Sequence, residues 1–437
     1  MYKSNFIQQL LFILFALGII VPQKSIASQN YYVAIDGNDS NVGSLLKPFR
    51  SIKKGASALH SGDTLIVNSG LYREDNIQLN SSGEIDNPIT IKSKKDANVS
   101  LYGMRVKTSG SGGGVGFFID KPYVLIDGFH FEDYETAIDV ENTKFITIQK
   151  STFKNNGESG VTFVDSNDSK VLHCRFIGEL LNEKPISVIQ DYAIAIYFSK
   201  DIHIENNYIY GAHNQSISFK EGCHNSVVKR NIIEGALYTG IYLGQNRRED
   251  NRERSSDLVA TYNIIRGAKG YRVKSPIRID NVKNATVDHN YIEGFDKSNN
   301  SGGINIFSEV LGTIKIHDNI VSFAINNNNS VGVYKEILDD NSTIVEIKNN
   351  TFYNVSKEFS GKFVSNTSCL KDNIAQVYSK DRENLELEFE GGKPLQLMLS
   401  SSPMHYTFQD YYQKLINQFH LKKKSEFSRK GYRFISD

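Results

Sequence analysis

Four side chains that could bind a carboxylate or transfer a proton lie on or beside a series of short apolar segments in the middle of the chain. They are Lys220, Tyr242, Arg278 and His213. An arginine can hold a carboxylate through two parallel hydrogen bonds, a lysine or histidine can remove a proton, and a tyrosine can return one. Elimination from a uronic acid polymer needs these three roles. We therefore expect Arg278 to bind the carboxylate, Lys220 or His213 to be the base, and Tyr242 to protonate the leaving oxygen.

Alternation within these segments predicts that the side chains share one face. In Ser216–Lys220, the apolar Ile217 and Phe219 should face a core, so Ser218 and Lys220 should face outwards. The same pattern turns a set of apolar residues inwards, namely Ile196, Phe198, Ile241, Leu243, Ile277 and Ile279, and turns Tyr197, Tyr242, Arg278 and Asp280 outwards. We expect Tyr197, Ser218 and Asp280 to bind substrate beside the catalytic groups.

An asparagine recurs with these segments at steps of about 22 to 33 residues, the period range of stacked repeats. It occupies positions Asn207, Asn231, Asn263, Asn290, Asn319, Asn350 and Asn373, and Ser151 and Cys174 take the same place in earlier repeats. An Asn side chain both donates and accepts hydrogen bonds. We therefore expect these side chains to stack at one corner of successive coils and to bond one another and the backbone.

Three short alternating strands accompany each repeat, and no helix-length apolar pattern separates them, which predicts an all-β solenoid. Residues 120 to 378 resemble the right-handed parallel β-helix of the pectin-lyase-like superfamily. The segments Tyr31-Tyr32-Val33, Asp36-Gly37-Asn38-Asp39 and Gly70-Leu71-Tyr72-Arg73-Glu74 resemble the capping region of its secreted polysaccharide lyases. This resemblance implies a role on polysaccharide, and Lys and Arg on neighbouring coils resemble the catalytic pairs of chondroitinase-like and alginate-lyase-like members.

The chain divides into three expected parts. Residues 1–27 are expected to be a cleaved signal peptide, because Lys3 precedes an apolar run and Ser25-Ile26-Ala27 has the small-x-small form of a cleavage site. Residues 28–378 should form the β-helix, with an N-terminal cap helix near Ser51–Leu59. Residues 379–437 should form a C-terminal helical cap with a helix at Asp410–Phe419. The mature protein should be periplasmic or secreted, without membrane insertion.

Three long inserts, residues 179–192, 245–257 and 268–274, should rise around the face that carries Lys220 and Arg278. Long loops on a rigid scaffold are usual sites of function. Arg247 and Arg248 in the second insert and Arg272 in the third are candidate substrate-binding residues. Acidic residues interleave with the arginines of the second insert, so ion pairs within that loop are as good an interpretation as substrate binding.

Composition excludes several classes of partner and cofactor. The net charge of +1 gives no basis for nucleic-acid binding, and we expect a monomer that binds an acidic polysaccharide. The cysteines, Cys174, Cys223 and Cys369, are odd in number and lack zinc-site spacing. Carboxylates near Lys220 are too scattered for the several converging oxygens of a calcium site. We predict that no cofactor is bound, and calcium stays an alternative that no carboxylate cluster supports.

The residues point to a polysaccharide lyase, and two other classes stay open. A C5-epimerase or glycoside hydrolase could use the same groove. An epimerase shares the base and the cation but leaves the polymer intact, whereas a hydrolase needs two facing carboxylates. A non-catalytic glycan-binding or structural β-helix would keep its function when Lys220 is replaced.

Overall fold

The computed structural model describes residues 28–103, 114–178, 190–211, 213–244, 253–267, 275–293, 302–307, 309–322, 331–336, 343–361, 368–371 and 374–377. The expected signal peptide, most of the three inserts, the C-terminal cap and Asn373 lie outside these residues. In the part of the chain that is described, no helix has the length and apolar character needed to cross a membrane.

The chain is an all-β right-handed parallel β-helix built from three long parallel sheets. The first sheet has 13 strands: β1 (Asn30–Val33), β2 (Thr64–Val67), β4 (Ile89–Ser93), β7 (Val124–Asp127), β10 (Ile146–Gln149), β13 (Lys170–Leu172), β16 (His203–Glu205), β19 (Val227–Lys229), β22 (Ser255–Thr261), β25 (Val282–Asp288), β28 (Leu311–His317), β31 (Thr343–Lys348) and β34 (Ser368–Lys371).

The second sheet has 12 strands: β3 (Gly70–Tyr72), β5 (Val99–Tyr102), β8 (His130–Glu132), β11 (Thr152–Lys154), β14 (Arg175–Ile177), β17 (Tyr208–Tyr210), β20 (Ile232–Glu234), β23 (Ile264–Arg266), β26 (Tyr291–Glu293), β29 (Ile320–Ser322), β32 (Thr351–Val355) and β35 (Ile374–Val377). The third sheet has 10 strands: β6 (Val115–Ile119), β9 (Thr136–Glu141), β12 (Ser159–Val164), β15 (Gln190–Tyr197), β18 (His213–Lys220), β21 (Thr239–Gly244), β24 (Ser275–Asp280), β27 (Ile304–Ile306), β30 (Val331–Lys335) and β33 (Lys357–Gly361).

From β4 to β33, each coil supplies one strand to each sheet, and its side chains alternate between the interior and the outer face. Ile217 and Phe219 are fully buried in the interior, where they align with Ile241 and Leu243 of the next coil. Stacking of identical apolar positions makes one continuous core along the axis, which is how a solenoid buries its hydrophobic faces. The predicted three-strand coil is therefore confirmed.

The Asn ladder is also confirmed for the described positions. Asn207, Asn231, Asn263, Asn290, Asn319 and Asn350 are all fully buried. From Asn207 to Asn319, each Asn side chain donates to the next one, as from Asn231 Nδ2 to Asn263 Oδ1 at 3.0 Å. Each also accepts from a backbone amide one coil away, as from Asn231 N to Asn263 Oδ1 at 3.0 Å. Cys174 stands at the start of this ladder, where its amide donates to Asn207 Oδ1 at 2.9 Å.

A short helix, α1 (Ile52–Ser57), lies at the N-terminal end where the cap helix was expected. The Ser51 side chain caps it by accepting from the amide of Lys54 at 3.1 Å, which satisfies a helix N–H that has no intrahelical partner. Ile52 and Ala56 are fully buried and belong to the core cluster. The helix therefore packs its apolar residues into the core, and its role as a cap stays a prediction.

Two local predictions are wrong. Phe198 was expected to face the core, but it follows the end of β15, has a φ of 49° and is 38% exposed. The strand ends one residue earlier than the alternation suggested, so Phe198 belongs to the turn. Parts of two inserts are strand: residues 190–192 begin β15, and residues 255–257 begin β22. The predicted loops are shorter than expected.

Candidate functional site

The third sheet brings the predicted site residues onto adjacent strands. Ser218 of β18 aligns with Tyr242 of β21, which aligns with Arg278 of β24. In a second row, Tyr197 of β15 aligns with Lys220 of β18. Both rows lie on the face turned away from the core, as alternation predicted. Lys220 and Arg278 are thus two strands apart, about 10 Å along the axis.

Arg278, Asp280 and Tyr242 form one cluster, which we call the arginine cluster. Arg278 Nη2 and Nε donate to Asp280 Oδ2 at 2.6 and 3.2 Å, and the Tyr242 hydroxyl donates to the same oxygen at 3.2 Å. The guanidinium lies over the rings of Tyr242 and Phe307, at 4.9 and 4.2 Å from their centroids. Arg278 is therefore held on a carboxylate and between two aromatic rings.

Burial controls the protonation of this cluster. Asp280 is 1% exposed, and desolvation raises the pKa of its carboxyl to about 6, although hydrogen bonds from Arg278 and Tyr242 oppose the shift. Its Oδ1 is buried and has no hydrogen-bond partner among the described residues. Burial is the main cause that raises the pKa of the Tyr242 phenol far above its ordinary value, and the charge of Asp280 is the second. Tyr242 therefore stays protonated and serves as a donor to Asp280.

Lys220, Tyr192 and Tyr197 form a second cluster, which we call the lysine cluster. Lys220 Nζ donates to the Tyr192 hydroxyl at 2.6 Å and lies 4.4 Å from the Tyr192 ring centroid. It also lies 5.7 Å from the ring centroid of Tyr197. Desolvation, followed by the charge of Tyr192 and a hydrogen bond with it, raises the pKa of Tyr197 above its ordinary value. All three side chains are half-buried, so they are reachable from solvent.

Tyr192 belongs to the lysine cluster through its hydrogen bond from Lys220 and its charge and hydrogen bond at Tyr197. Sequence reasoning missed this residue because it assigned residues 179–192 to an insert. The strand β15 begins at Gln190 and pairs Tyr192 with Gln215 of β18.

The structure corrects the placement of His213 and Tyr242. His213 was expected to act as a base on or beside this face, but it begins β18 and is 1% exposed. Desolvation lowers its pKa to about 4, against an opposing hydrogen bond with the Gly211 backbone. Tyr242 lies in the outward row yet is also 1% exposed, because Arg278 lies across its ring. Neither side chain presents its polar atom to solvent as the assigned catalytic roles require.

The remaining predicted residues are placed as follows. Ser218 is fully buried and donates to Gln215 Oε1 at 2.9 Å, which commits its hydroxyl to the protein. Arg247, Arg248 and Arg272 lie outside the described residues. Asp280 was predicted to bind substrate, but its Oδ2 is bonded to Arg278 and Tyr242.

A second carboxyl with a raised pKa lies on the same face, closer to the N-terminus. Burial, with the charges of Glu141 and Glu158, raises the pKa of Asp139 to about 6. Asp139 aligns with Thr162 on β12, in the row that continues through Ser218 to Arg278. Asp139 on β9 and Asp280 on β24 are five strands apart, about 24 Å. This separation is too large for the facing carboxylates of a glycoside hydrolase, which lie roughly 5–9.5 Å apart.

Within the described residues, the side chains grouped closely enough to hold a metal ion are Asp288, His289 and His317. They lie at the junction of the first and second sheets, and none of them belongs to the two clusters of the third sheet. Sequence reasoning missed this group because its members are separated by a full coil. It supplies no carboxylates to the face that carries Lys220 and Arg278.

Comparisons with known proteins agree with the architecture. Residues 31–178 match the family model described as "Pel9A-like, right handed beta helix region". The chain resembles the GH136 lacto-N-biosidase of Eubacterium ramulus (TM-score 0.54, 13% identity, covering 80% of this chain and 68% of that chain). It also resembles the mannuronan C-5 epimerase AlgE6 A-module of Azotobacter vinelandii (TM-score 0.53, 13% identity, covering 73% and 92%). At such identities the likeness is one of fold.

A further relative is the uncharacterized protein YwoF of Bacillus subtilis strain 168. It is 27% identical over 106 residues, which are 24% of this chain and 22% of that protein, so the chain spans less than a quarter of its length. The family model ends at residue 178, before the lysine and arginine clusters. The chain is thus a right-handed parallel β-helix protein, and its residues 31–178 are similar to the Pel9A-like β-helix region.

Proposed function

We propose that this protein is an exported polysaccharide lyase that cleaves a uronate-containing polymer on the outer face of the third sheet. The observation that carries the proposal is the hydrogen bond of 2.6 Å between Lys220 Nζ and the Tyr192 hydroxyl, two strands from Arg278. Export is supported by the apolar run before Ser25-Ile26-Ala27. The folds it resembles include polysaccharide-modifying enzymes, which supports an acidic polysaccharide as the substrate.

The lysine cluster supplies the base and the proton donor. Lys220, acting from its free-amine form, removes the proton next to the uronate carboxylate. The resulting electron pair forms a carbon–carbon double bond and expels the glycosidic oxygen, which takes the proton of Tyr192. Lys220 then returns the abstracted proton to Tyr192 along their hydrogen bond. The proton lost by the sugar ring thus ends on the leaving oxygen, and the enzyme returns to its starting state.

The arginine cluster supplies the cation. The Arg278 side chain is 23% exposed, so part of it stays accessible to solvent while Nε and Nη2 are bonded to Asp280. A fixed cation stabilises the charge that develops on the carboxylate without reorganising during the reaction. Tyr242 acts as a positioning residue, because it holds the Asp280 carboxylate that orients Arg278. This arrangement replaces Tyr242 by Tyr192 as the proton donor.

The test is a screen of acidic polysaccharides for new unsaturated ends, which absorb in the ultraviolet. Wild type should produce them on one substrate class, and Lys220→Ala and Tyr192→Phe should each lose more than about a hundredfold in turnover. Tyr334→Phe is the matched control, since Tyr334 lies on the outer row of the same sheet beyond Arg278. Solvent-deuterium incorporation without unsaturated ends would identify an epimerase. Binding that survives both substitutions, without any reaction, would identify a non-catalytic protein.

A further inference from the structure

The turn between the first and second sheets carries a square of two carboxylates and two imidazoles. Asp288 at the end of β25 aligns with His317 at the end of β28. His289 and Asp318 come next on the two coils, and both have positive φ angles, 54° and 55°. Each pair immediately precedes a ladder residue, Asn290 or Asn319. The acid and the imidazole therefore exchange places from one coil to the next.

The side chains of this square are already close together. His289 Nδ1 lies 2.7 Å from Asp288 Oδ2, and His317 Nδ1 lies 2.8 Å from Asp318 Oδ2. One ligand atom each from Asp288, His289 and His317 lies within 4.8 Å of the other two. The two imidazole rings meet edge to face, with centroids 6.2 Å apart. All three candidate ligands are half-buried, so an ion from solvent can reach them.

The backbone around the square is held by the core of the solenoid. Asn290 and Asn319 are fully buried, and the Asn290 amide donates to Asn319 Oδ1 at 3.0 Å. Tyr262, on the preceding coil, stacks on the His289 ring at a centroid distance of 4.6 Å and an interplanar angle of 18°. Ligands whose backbone and ring planes are held in this way lose little freedom on binding an ion, which favours affinity.

We propose that Asp288, His289 and His317 bind a divalent transition-metal ion such as Zn²⁺, with Asp318 orienting His317. Two imidazoles and a carboxylate suit Zn²⁺ and its neighbours in the first transition row, whereas Ca²⁺ and Mg²⁺ take oxygen ligands. A carboxylate that holds the other nitrogen of a ligating histidine is a common supporting contact. The ion takes the place of the proton between Asp288 and His289 and links two successive coils. A water can complete a tetrahedral set.

This site is independent of the proposed lyase reaction, so its test does not use activity. Protein made without a histidine tag and treated with EDTA is titrated with ZnCl₂ by calorimetry, and Co²⁺ absorption reports the ligand geometry. Wild type should bind one ion per chain. Asp288→Asn and His317→Gln should each weaken Zn²⁺ affinity by about tenfold or more. His203→Gln is the matched control, because His203 is an exposed histidine on the same sheet.

Thermal unfolding provides the second measurement. Zn²⁺ should raise the melting temperature of wild type and of His203→Gln, since an ion that binds only the folded state stabilises it. Zn²⁺ should not raise the melting temperature of Asp288→Asn. This substitution keeps the shape of the side chain, so it tests the site even if His317→Gln does not fold. The proposal is overturned if wild type binds no Zn²⁺, or if Asp288→Asn binds it with unchanged affinity.

Discussion

Replacing Asn263 by alanine should break the Asn ladder near its centre. Asn263 Oδ1 accepts from the backbone N and from Nδ2 of Asn231, both at 3.0 Å. Its Nδ2 donates to the Val228 carbonyl at 2.9 Å and to Asn290 Oδ1 at 3.0 Å. Alanine removes all four bonds but keeps the backbone bond from residue 263 to Asn290 Oδ1 at 2.9 Å.

These four losses are unequal. Asn231 Nδ2 keeps the carbonyls of Ile204 and Lys229, and Asn290 Oδ1 keeps the amide of residue 263. The backbone N–H of Asn231 is left buried without its acceptor, which costs about 1–3 kcal/mol. Loss of the bond to Val228 adds about 1 kcal/mol. We therefore expect the free energy of unfolding to fall by about 2–4 kcal/mol.

Urea denaturation followed by far-ultraviolet circular dichroism measures this change. The midpoint should fall while the slope of free energy against urea stays constant, since the same surface is exposed on unfolding. Asn98→Ala is the control, because Asn98 is exposed on the surface and should change stability by less than about 0.5 kcal/mol. If Asn263→Ala lost no more stability than this control, the ladder would not contribute the stabilisation inferred here.

Three further predictions concern the site and its surroundings. Lys220→Ala and Tyr192→Phe should keep the wild-type melting temperature while losing turnover. If both variants turned over substrate as fast as the wild type, the chemistry would lie elsewhere. The pKa of buried His213 is lowered to about 4 in the folded protein. As the pH drops, this imidazole therefore takes up a proton in the unfolded chain before it does so in the folded one, and stability should fall between about pH 6.5 and about pH 4. His213→Gln should flatten this part of the stability curve measured by urea denaturation, and an unchanged curve would contradict the assignment. EDTA should leave turnover unchanged, whereas loss in EDTA with rescue by Ca²⁺ would show that a metal takes part in the reaction.

Local patterns were enough to predict most of the fold. The segment Thr239-Gly240-Ile241-Tyr242-Leu243 became strand β21 with boundaries within one residue, whereas β15 and β18 begin three to five residues before their predicted segments. The spacing of the asparagines predicted the ladder, because hydrogen bonds between like side chains of successive coils need the same residue on every coil. Phe198 shows the limit of the reasoning: an apolar residue that continues the alternation can still fall in the turn.

The site was predicted only in part. Alternation and phase placed Lys220, Tyr242 and Arg278 on one face, since each occupies the same third of its coil. Tyr192 was missed because the start of a strand next to a long insert has no periodic signal of its own. The burial of His213 was missed because a single polar residue at the start of a strand does not reveal what packs over it.

The sequence by itself determined the all-β class, the coil of three strands, the ladder and the direction in which each strand residue points. Those properties follow from a period of two along the strand and a repeat of one coil. Only the tertiary structure decided which side chains touch across coils: Asp280 with Arg278, Tyr192 with Lys220, and His317 with Asp288 and His289. The reason is that coil lengths vary, so contact between coils depends on the register of neighbouring strands, and no local pattern encodes that register.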